Sequence, residues 1–223
     1  MPKLVWDKIG ERLFETGTAK GALFLQGPTG AYETGVAWNG LVAVRQSPDG
    51  AEETPIYADN IKYLSMMSAE NFKGTIEAYT YPDEFAACEG SKEVVPGVHV
   101  GQQARQGFGM VYSTLIGNDT QGTEFGEKIH VIYGAKVAPT ERSYETVNND
   151  PNAITFSWAF TTTPADVTAS GFKPTAYISV DSTKVTPEIF QSVVDAVYGT
   201  EAEEPTLPTV DELIALVKAS PLP

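Results

Sequence analysis

In ITFSWAFTTT, Ile154 to Thr163, apolar side chains fall at every second position, so that Ile154, Phe156, Trp158 and Phe160 share one face of an extended chain. Thr155, Ser157, Ala159 and Thr161 share the other face, which is small and polar. Short apolar or aromatic runs of the same period recur through the first 180 residues, separated by clusters of Gly, Pro, Asn and Asp. This is the signature of a mainly β body. The other strands expected are Lys3 to Ile9, Ala22 to Gln26, Val36 to Arg45, Ile61 to Ser68, Gly74 to Tyr81, Phe108 to Ile116, Lys128 to Val137 and Thr175 to Val180.

Turn chemistry cuts the chain at the same places. Asn39-Gly40, between apolar flanks, fits a tight hairpin, and Ser47-Pro48-Asp49-Gly50 is a turn by composition. Gln46 to Pro55 then reads as a long polar connection between two strands, and long hairpin loops in compact domains are often functional. In TIEAYTY, Thr75, Glu77, Tyr79 and Tyr81 point one way and Ile76, Ala78 and Thr80 the other. Pro82 ends that strand, because it cannot donate to a ladder, and Asp83 to Ala87 reads as one helical turn.

Towards the C-terminus the period changes. In TPEIFQSVVDAVYG, Thr186 can cap a helix and Pro187 suits its first position, while Ile189, Val193, Val194 and Val197 form a stripe that Gly199 terminates. After the acidic linker TEAEEPTLP, Thr209 and Glu212 make a capping box, with Leu213, Leu216 and Val217 on one edge of a short helix. Such an arm needs a surface to dock on, either its own barrel or a neighbouring copy. The expected organisation is one β domain over residues 1–200, including a helix over 186–198, and a linker with a helical arm over 201–223.

The chemistry-bearing residues are sparse. EAYTYPDEF, Glu77 to Phe85, holds three carboxylates and two tyrosines, the equipment of a glycosidase. A strand followed by a helical turn does not set Glu77, Asp83 and Glu84 across a cleft, however. His99 and His130 are the only histidines and neither has a metal-ligand neighbour at useful spacing; His130, in KIHVIYG, reads as a strand histidine with a local hydrogen bond. GPTGAYETG lacks the Lys-Ser/Thr of a phosphate loop, GFGMVY lacks the third glycine of a dinucleotide site, and NDTQGTEFGE reads as a hairpin connection. The single cysteine, Cys88, allows no intrachain disulfide and is expected to be buried. No catalytic residue, metal or cofactor is expected.

A formal charge of −14 argues against a protein that grips nucleic acid, since phosphate binding needs a clustered basic face. Repulsion from DNA is the expectation. With no apolar run long enough for a signal peptide or a membrane span, the chain is expected to be a soluble protein made in a cytoplasm.

Seven stretches, taken in order, resemble one family: GVAWNGL, YADNIKYL, EAYTYPDEF, GQQARQGFG, YSTLIGND, HVIYGAKVAPTERSYETVN (His130 to Asn148) and AITFSWAFTTTP. Together they are similar to the major tail protein, or tail tube protein, of long-tailed phages infecting Gram-positive bacteria. The resemblance implies a β-sandwich or barrel-like body with a flanking helix. It also implies hexameric rings, stacked into a hollow tube through which the genome leaves the virion. The implied partners are other copies of the chain, the tail's initiator and terminator complexes and the tape measure protein; DNA passes through without specific binding, and no membrane is involved. The implied location is the virion tail, with assembly in the host cytoplasm.

On that reading Gln46, Asp49, Gly50, Glu52 and Glu53 are the expected ring-stacking loop, with the N-terminal strand and the arm from Thr209 as secondary contacts. Glu77, Tyr79, Tyr81, Thr155, Ser157 and Thr161 are expected at a subunit interface or the lumen. A polar strand face can line a wet bore, and a negative bore lets DNA slide because no counterions are released on it. The alternative is a monomeric β-sandwich carbohydrate-binding module with Tyr79 and Tyr81 as a stacking platform.

Overall fold

The computed structural model describes residues 3–144, 146, 153–168 and 171–218; the end of the His130 to Asn148 stretch and residues 219–223 of the arm lie outside that set. Along the chain run β1 (Leu13–Leu25), β2 (Val36–Trp38), β3 (Leu41–Gln46), β4 (Asp49–Gly50), β5 (Glu53–Ala58), β6 (Ile61–Met67), β7 (Glu70–Asn71) and β8 (Lys73–Ala78). A helical turn at Asp83–Phe85 leads into α1 (Ala86–Glu89), then β9 (Lys92–Val95), β10 (Val98–Val100), β11 (Phe108–Asn118) and β12 (Gly122–Val137). β13 (Phe156–Thr162), β14 (Tyr177–Asp181), α2 (Pro187–Tyr198) and α3 (Val210–Lys218) complete the mainly β chain expected from its alternation.

The main sheet is antiparallel throughout, in the order β2-β1-β11-β12-β13-β8-β3, with β14 pairing the middle of β12, Lys128 to Ile132. Burial explains the two kinds of strand. β11 and the second half of β12 are covered on both faces and read as near-continuous apolar runs, whereas β8 buries only Gly74, Ile76 and Ala78 and alternates. Inside the curl lie Leu23, Phe108, Met110, Ile132, Trp158 and Phe160, with Phe85 and Cys88 from the helical turn and α1 plugging one end. On the outer face of the central strands, Phe24, Val111, Ile129, Val131 and Tyr133 are covered by Val193 and Val197 of α2 and Val210 and Leu213 of α3. Burial and the charge of Glu89 push the Cys88 thiol up to about 12, which leaves it unreactive.

The sheet curls until its edges meet. β2 and β3 are its outermost strands, yet only Asn39 and Gly40 separate them, Gly40 at φ +71°. Trp38 Nε1 donates to the Thr80 carbonyl (2.9 Å) and the Tyr79 N–H to the Gly40 carbonyl (2.8 Å), tying β2 to the chain beyond β8. Asn39-Gly40 is therefore a corner and not a hairpin: β2 pairs with β1 and β3 with β8. Lys3 to Ile9 form no strand, because apolar spacing without a ladder partner does not make one; β1 starts at Leu13.

The helices follow their caps and stripes. Thr186 has extended backbone ahead of α2 but its side chain makes no capping bond, and Ile189, Val193 and Val197 face inward until Gly199, at φ +76°, ends the helix. For α3 the capping box forms: the Thr209 N–H donates to Glu212 Oε2 (2.8 Å) and the Glu212 N–H to Thr209 Oγ1 (3.3 Å). Tyr133 Oη donates to the Pro208 carbonyl (3.0 Å), so the arm packs on its own body.

Among the described residues Ser113, Asn118 and His130 are the buried polar side chains, and His130 sits at the centre of a hydrogen-bonded cluster. His130 is stacked on Tyr112 (4.6 Å between ring centres), with Nδ1 at 2.7 Å from Tyr177 Oη and Nε2 at 2.8 Å from Thr114 Oγ1. Thr114 gives its hydroxyl proton to Glu15 (2.6 Å), so its oxygen accepts from Nε2–H and Nδ1 accepts from Tyr177. Burial holds His130 below its ordinary value of 6.5, against the opposite pull of Glu15. Burial raises Glu15, but hydrogen bonds from Lys128 and Thr114 outweigh it and leave that carboxyl below 4.5.

Both shifts act in one direction. The unfolded chain takes up protons first, so stability present above about pH 6.5 should fall as pH drops through the His130 range, and fall again below about 4.5 through Glu15. Urea midpoints from pH 7.5 to 4 check this, and His130→Gln should flatten the upper limb; a midpoint constant from pH 7 to 5 in the wild type contradicts it.

Candidate functional site

The expected stacking loop is the stem of a longer projection. β3 and β8 diverge at Gln46 and Lys73, β4 pairs with β7, and β5 pairs with β6 in a ribbon that turns at Asp59 and Asn60, both at positive φ (51° and 64°). That is the backbone of a tight two-residue hairpin turn. Glu53–Ala58 is thus a strand that the polar reading of Gln46 to Pro55 missed; Pro55 is tolerated because a two-stranded ribbon has a free edge.

Within the stem, Gln46 turns inward to Tyr112 Oη (2.7 Å), and Asp49 takes hydrogen bonds from Lys73 (2.6 Å) and the Gly50 N–H (3.0 Å). The Lys73 bond, first, holds Asp49 below the usual carboxylate range. Gly50, at φ +95°, has no room for a Cβ beside the Ala69 carbonyl. Glu52 and Ser68 bond across the stem, and Glu53 pairs with Lys62. Every residue of β5 and β6 is exposed, yet the ribbon carries Ile56, Tyr57, Ile61, Tyr63, Leu64, Met66 and Met67, with Tyr57 at 69% and Met67 at 71%.

A second surface is the outer side of β3, β8 and β13, which neither α2 nor α3 covers. Glu77 pairs across the ladder with Ser157, and Lys73 with Thr161, so these expected residues do meet on one face. Arg45 reaches over Glu77 with two hydrogen bonds (3.0 and 3.1 Å). Thr155 precedes β13 and is exposed, and Tyr79 lies exposed just past β8. Tyr81 departs from the expected side: its ring packs edge-on against Phe156 and Trp158, each at 5.4 Å, and so forms no platform with Tyr79. Arg142 lies over the Tyr81 and Phe156 rings at 5.6 and 5.4 Å. Glu77 is held by Arg45 while Asp83 and Glu84 stand exposed on the helical turn, so the three carboxylates do not converge on one substrate position.

Other exposed apolar positions lie at Leu4, Val5, Trp6 and Ile9, near where Gly10 and Arg12 engage the Asn118–Asp119 turn. Sequence reasoning missed β9 and β10, a small ribbon in which Val94, Val95, Val98 and Val100 are exposed. The signal was present in VVPGVHV, valines flanking a Pro-Gly turn with Gly97 at φ +82°. Among the described residues no group of His, Cys, Asp or Glu is placed to hold a metal ion, and no helix is long and apolar enough to cross a membrane.

No protein-family model matches the chain, and no curated protein matches it.

Proposed function

We propose that the chain is a self-assembling structural subunit, the tail tube protein of a long-tailed phage, whose copies form hexameric rings stacked into a conduit for DNA. The observation that carries this reading is the β5–β6 ribbon, apolar in composition and exposed along both strands. A lone two-stranded hairpin is marginal in water, and contiguous exposed apolar surface marks an interaction site. A contact between unlike surfaces repeats head to tail, closing into rings or running on as filaments. The seven ordered stretches of family resemblance supply the kind of assembly. The outer face of β3, β8 and β13 is polar, carrying Arg45, Lys73, Glu77, Ser157 and Thr161, and the net charge of −14 over the whole chain disfavours holding DNA.

Electron microscopy of concentrated protein tests the reading. Wild-type protein should give rings or tubes, and replacing residues 54–66 by a short Gly-Ser turn should keep the cooperative thermal unfolding of the body while abolishing tubes. Full-length tubes from the shortened chain, or a wild type that stays a monodisperse monomer at every concentration, overturn it.

A further inference from the structure

The direction of each strand fixes where the two ribbons leave the body. β1, β12 and β8 run one way and β11, β13 and β3 the other, since every neighbouring pair is antiparallel. β3 runs into the β4–β7 stem, so the β5–β6 ribbon leaves at the end where β1 begins. β8 runs towards the opposite end, where α1 and the β9–β10 ribbon lie before β11 returns. The base of β9–β10 is fixed there by the Gln103 N–H on the Gly90 carbonyl (2.9 Å) and by Arg105 on the Val137 carbonyl (3.2 Å). One subunit therefore presents an apolar, unpartnered ribbon at each end.

Their charges are opposed. The β4–β7 projection, residues 49–71, carries five carboxylates against the single Lys62, a formal −4. Residues 91–105 carry Lys92 and Arg105 against Glu93, a formal +1 in a chain of net −14. Two copies of the acidic projection, whose charge lies largely in its stem, would set like with like; the projection and the β9–β10 end, with Arg105 at its base, would not.

We infer that the exposed valines of β9 and β10 form the docking surface for the β5–β6 ribbon of a second copy of this chain, a heterologous contact that orders copies head to tail. The inference rests on the tube reading for its context and adds the receiving surface, which lies at the opposite end from the projecting ribbon. Apolar burial supplies the attraction, and the charge difference sets the polarity of the stack.

Complementation of two variants tests it. V95K/V98E alters the receiving ribbon and I56K/L64E the projecting one; each keeps an opposite-charge pair directly across its hairpin, so the ribbon itself survives. If V95K/V98E loses the wild-type circular dichroism, V95T/V98T, β-branched and of equal volume, replaces it. Each variant alone should form no stacks by sedimentation and negative stain. Their equimolar mixture should form complexes only two units deep, because one intact pair of ribbons remains and both outer ends are blocked.

The contact is overturned by the absence of association in the mixture, or by stacking of either variant alone. The fate of the tube reading is separable. Long tubes from V95K/V98E refute the contact and leave the tube standing, whereas wild-type chains that lack rings and are broken by V95K/V98E do the reverse. A wild type with no association at all refutes both.

Discussion

Replacing Trp158 with alanine should lower the stability of the chain by about 3–5 kcal/mol. The side chain is 2% exposed and its ring sits 5.1–5.7 Å from those of Phe85, Tyr81, Phe156 and Trp38. Those neighbours come from β2, from the Tyr81–Phe85 stretch and from β13 itself, so the hole left by an indole cannot collapse. Trp158 Nε1 also donates to Glu89, which accepts from Arg142 as well. Removing the indole leaves a largely buried carboxylate with fewer partners, which adds to the loss. Trp158→Phe keeps most of the ring packing and drops that bond, so it should cost about 1–2 kcal/mol. Urea unfolding separates the two if the slope is unchanged and only the midpoint moves. A loss under about 1 kcal/mol for the alanine variant contradicts this account of the core.

Gly134→Ala should be comparably severe, at about 3 kcal/mol or more, for a different reason. Gly134 has φ +58°, and it lies where the edge of β12 passes from β14 (Lys128–Ile132) to β13 (Ala135–Val137). Its N–H donates to Tyr32 Oη (2.8 Å), its carbonyl accepts from the Thr163 N–H (3.0 Å), and a methyl group there would overlap the Thr163 carbonyl oxygen. The left-handed dihedral alone costs roughly 1–2 kcal/mol for an L-residue. Displacing Thr163 disturbs the junction at which the inner and outer cores meet. Gly122→Ala is the control, since φ there is +61° but nothing lies within 4 Å of a new Cβ. Equal midpoint shifts for the two variants would falsify the overlap argument.

What the sequence made legible depended on whether one face of a strand was buried. β13 and β8 alternate cleanly because only their inner faces are covered, and the stretch from Gly74 to Ala78 was readable for the same reason. The capping box of α3 and the stripe of α2 are local signals, and they too hold. Signals that depend on a distant partner did not carry. The positive φ of Gly40 was legible in Asn39-Gly40, but which strands that turn joins is decided by the curl of the whole sheet.

The candidate surfaces show the same division. Glu77, Ser157 and Thr161 fall on one face, as period-two spacing requires, because the ladder extends that period across neighbouring strands. Tyr81 escapes it because β8 ends at Ala78, after which the chain bends and its ring turns towards Phe85 and Trp158. Gln46 to Pro55 reads as a loop because charged residues and a proline hide a strand that has no buried face. The apolar residues that make the projection notable lie chiefly beyond that window, at Ile56 to Met67.

The two-residue corner at Asn39-Gly40 has a consequence for local opening. In an open sheet each edge strand frays alone and its amides exchange early. Here β2 cannot lift from β1 without pulling on β3 through Gly40, whose carbonyl is itself held by the Tyr79 N–H. The two edges should therefore exchange their amide hydrogens as one cooperative unit, at a single rate, while the β5–β6 ribbon beyond Asp49 exchanges on its own.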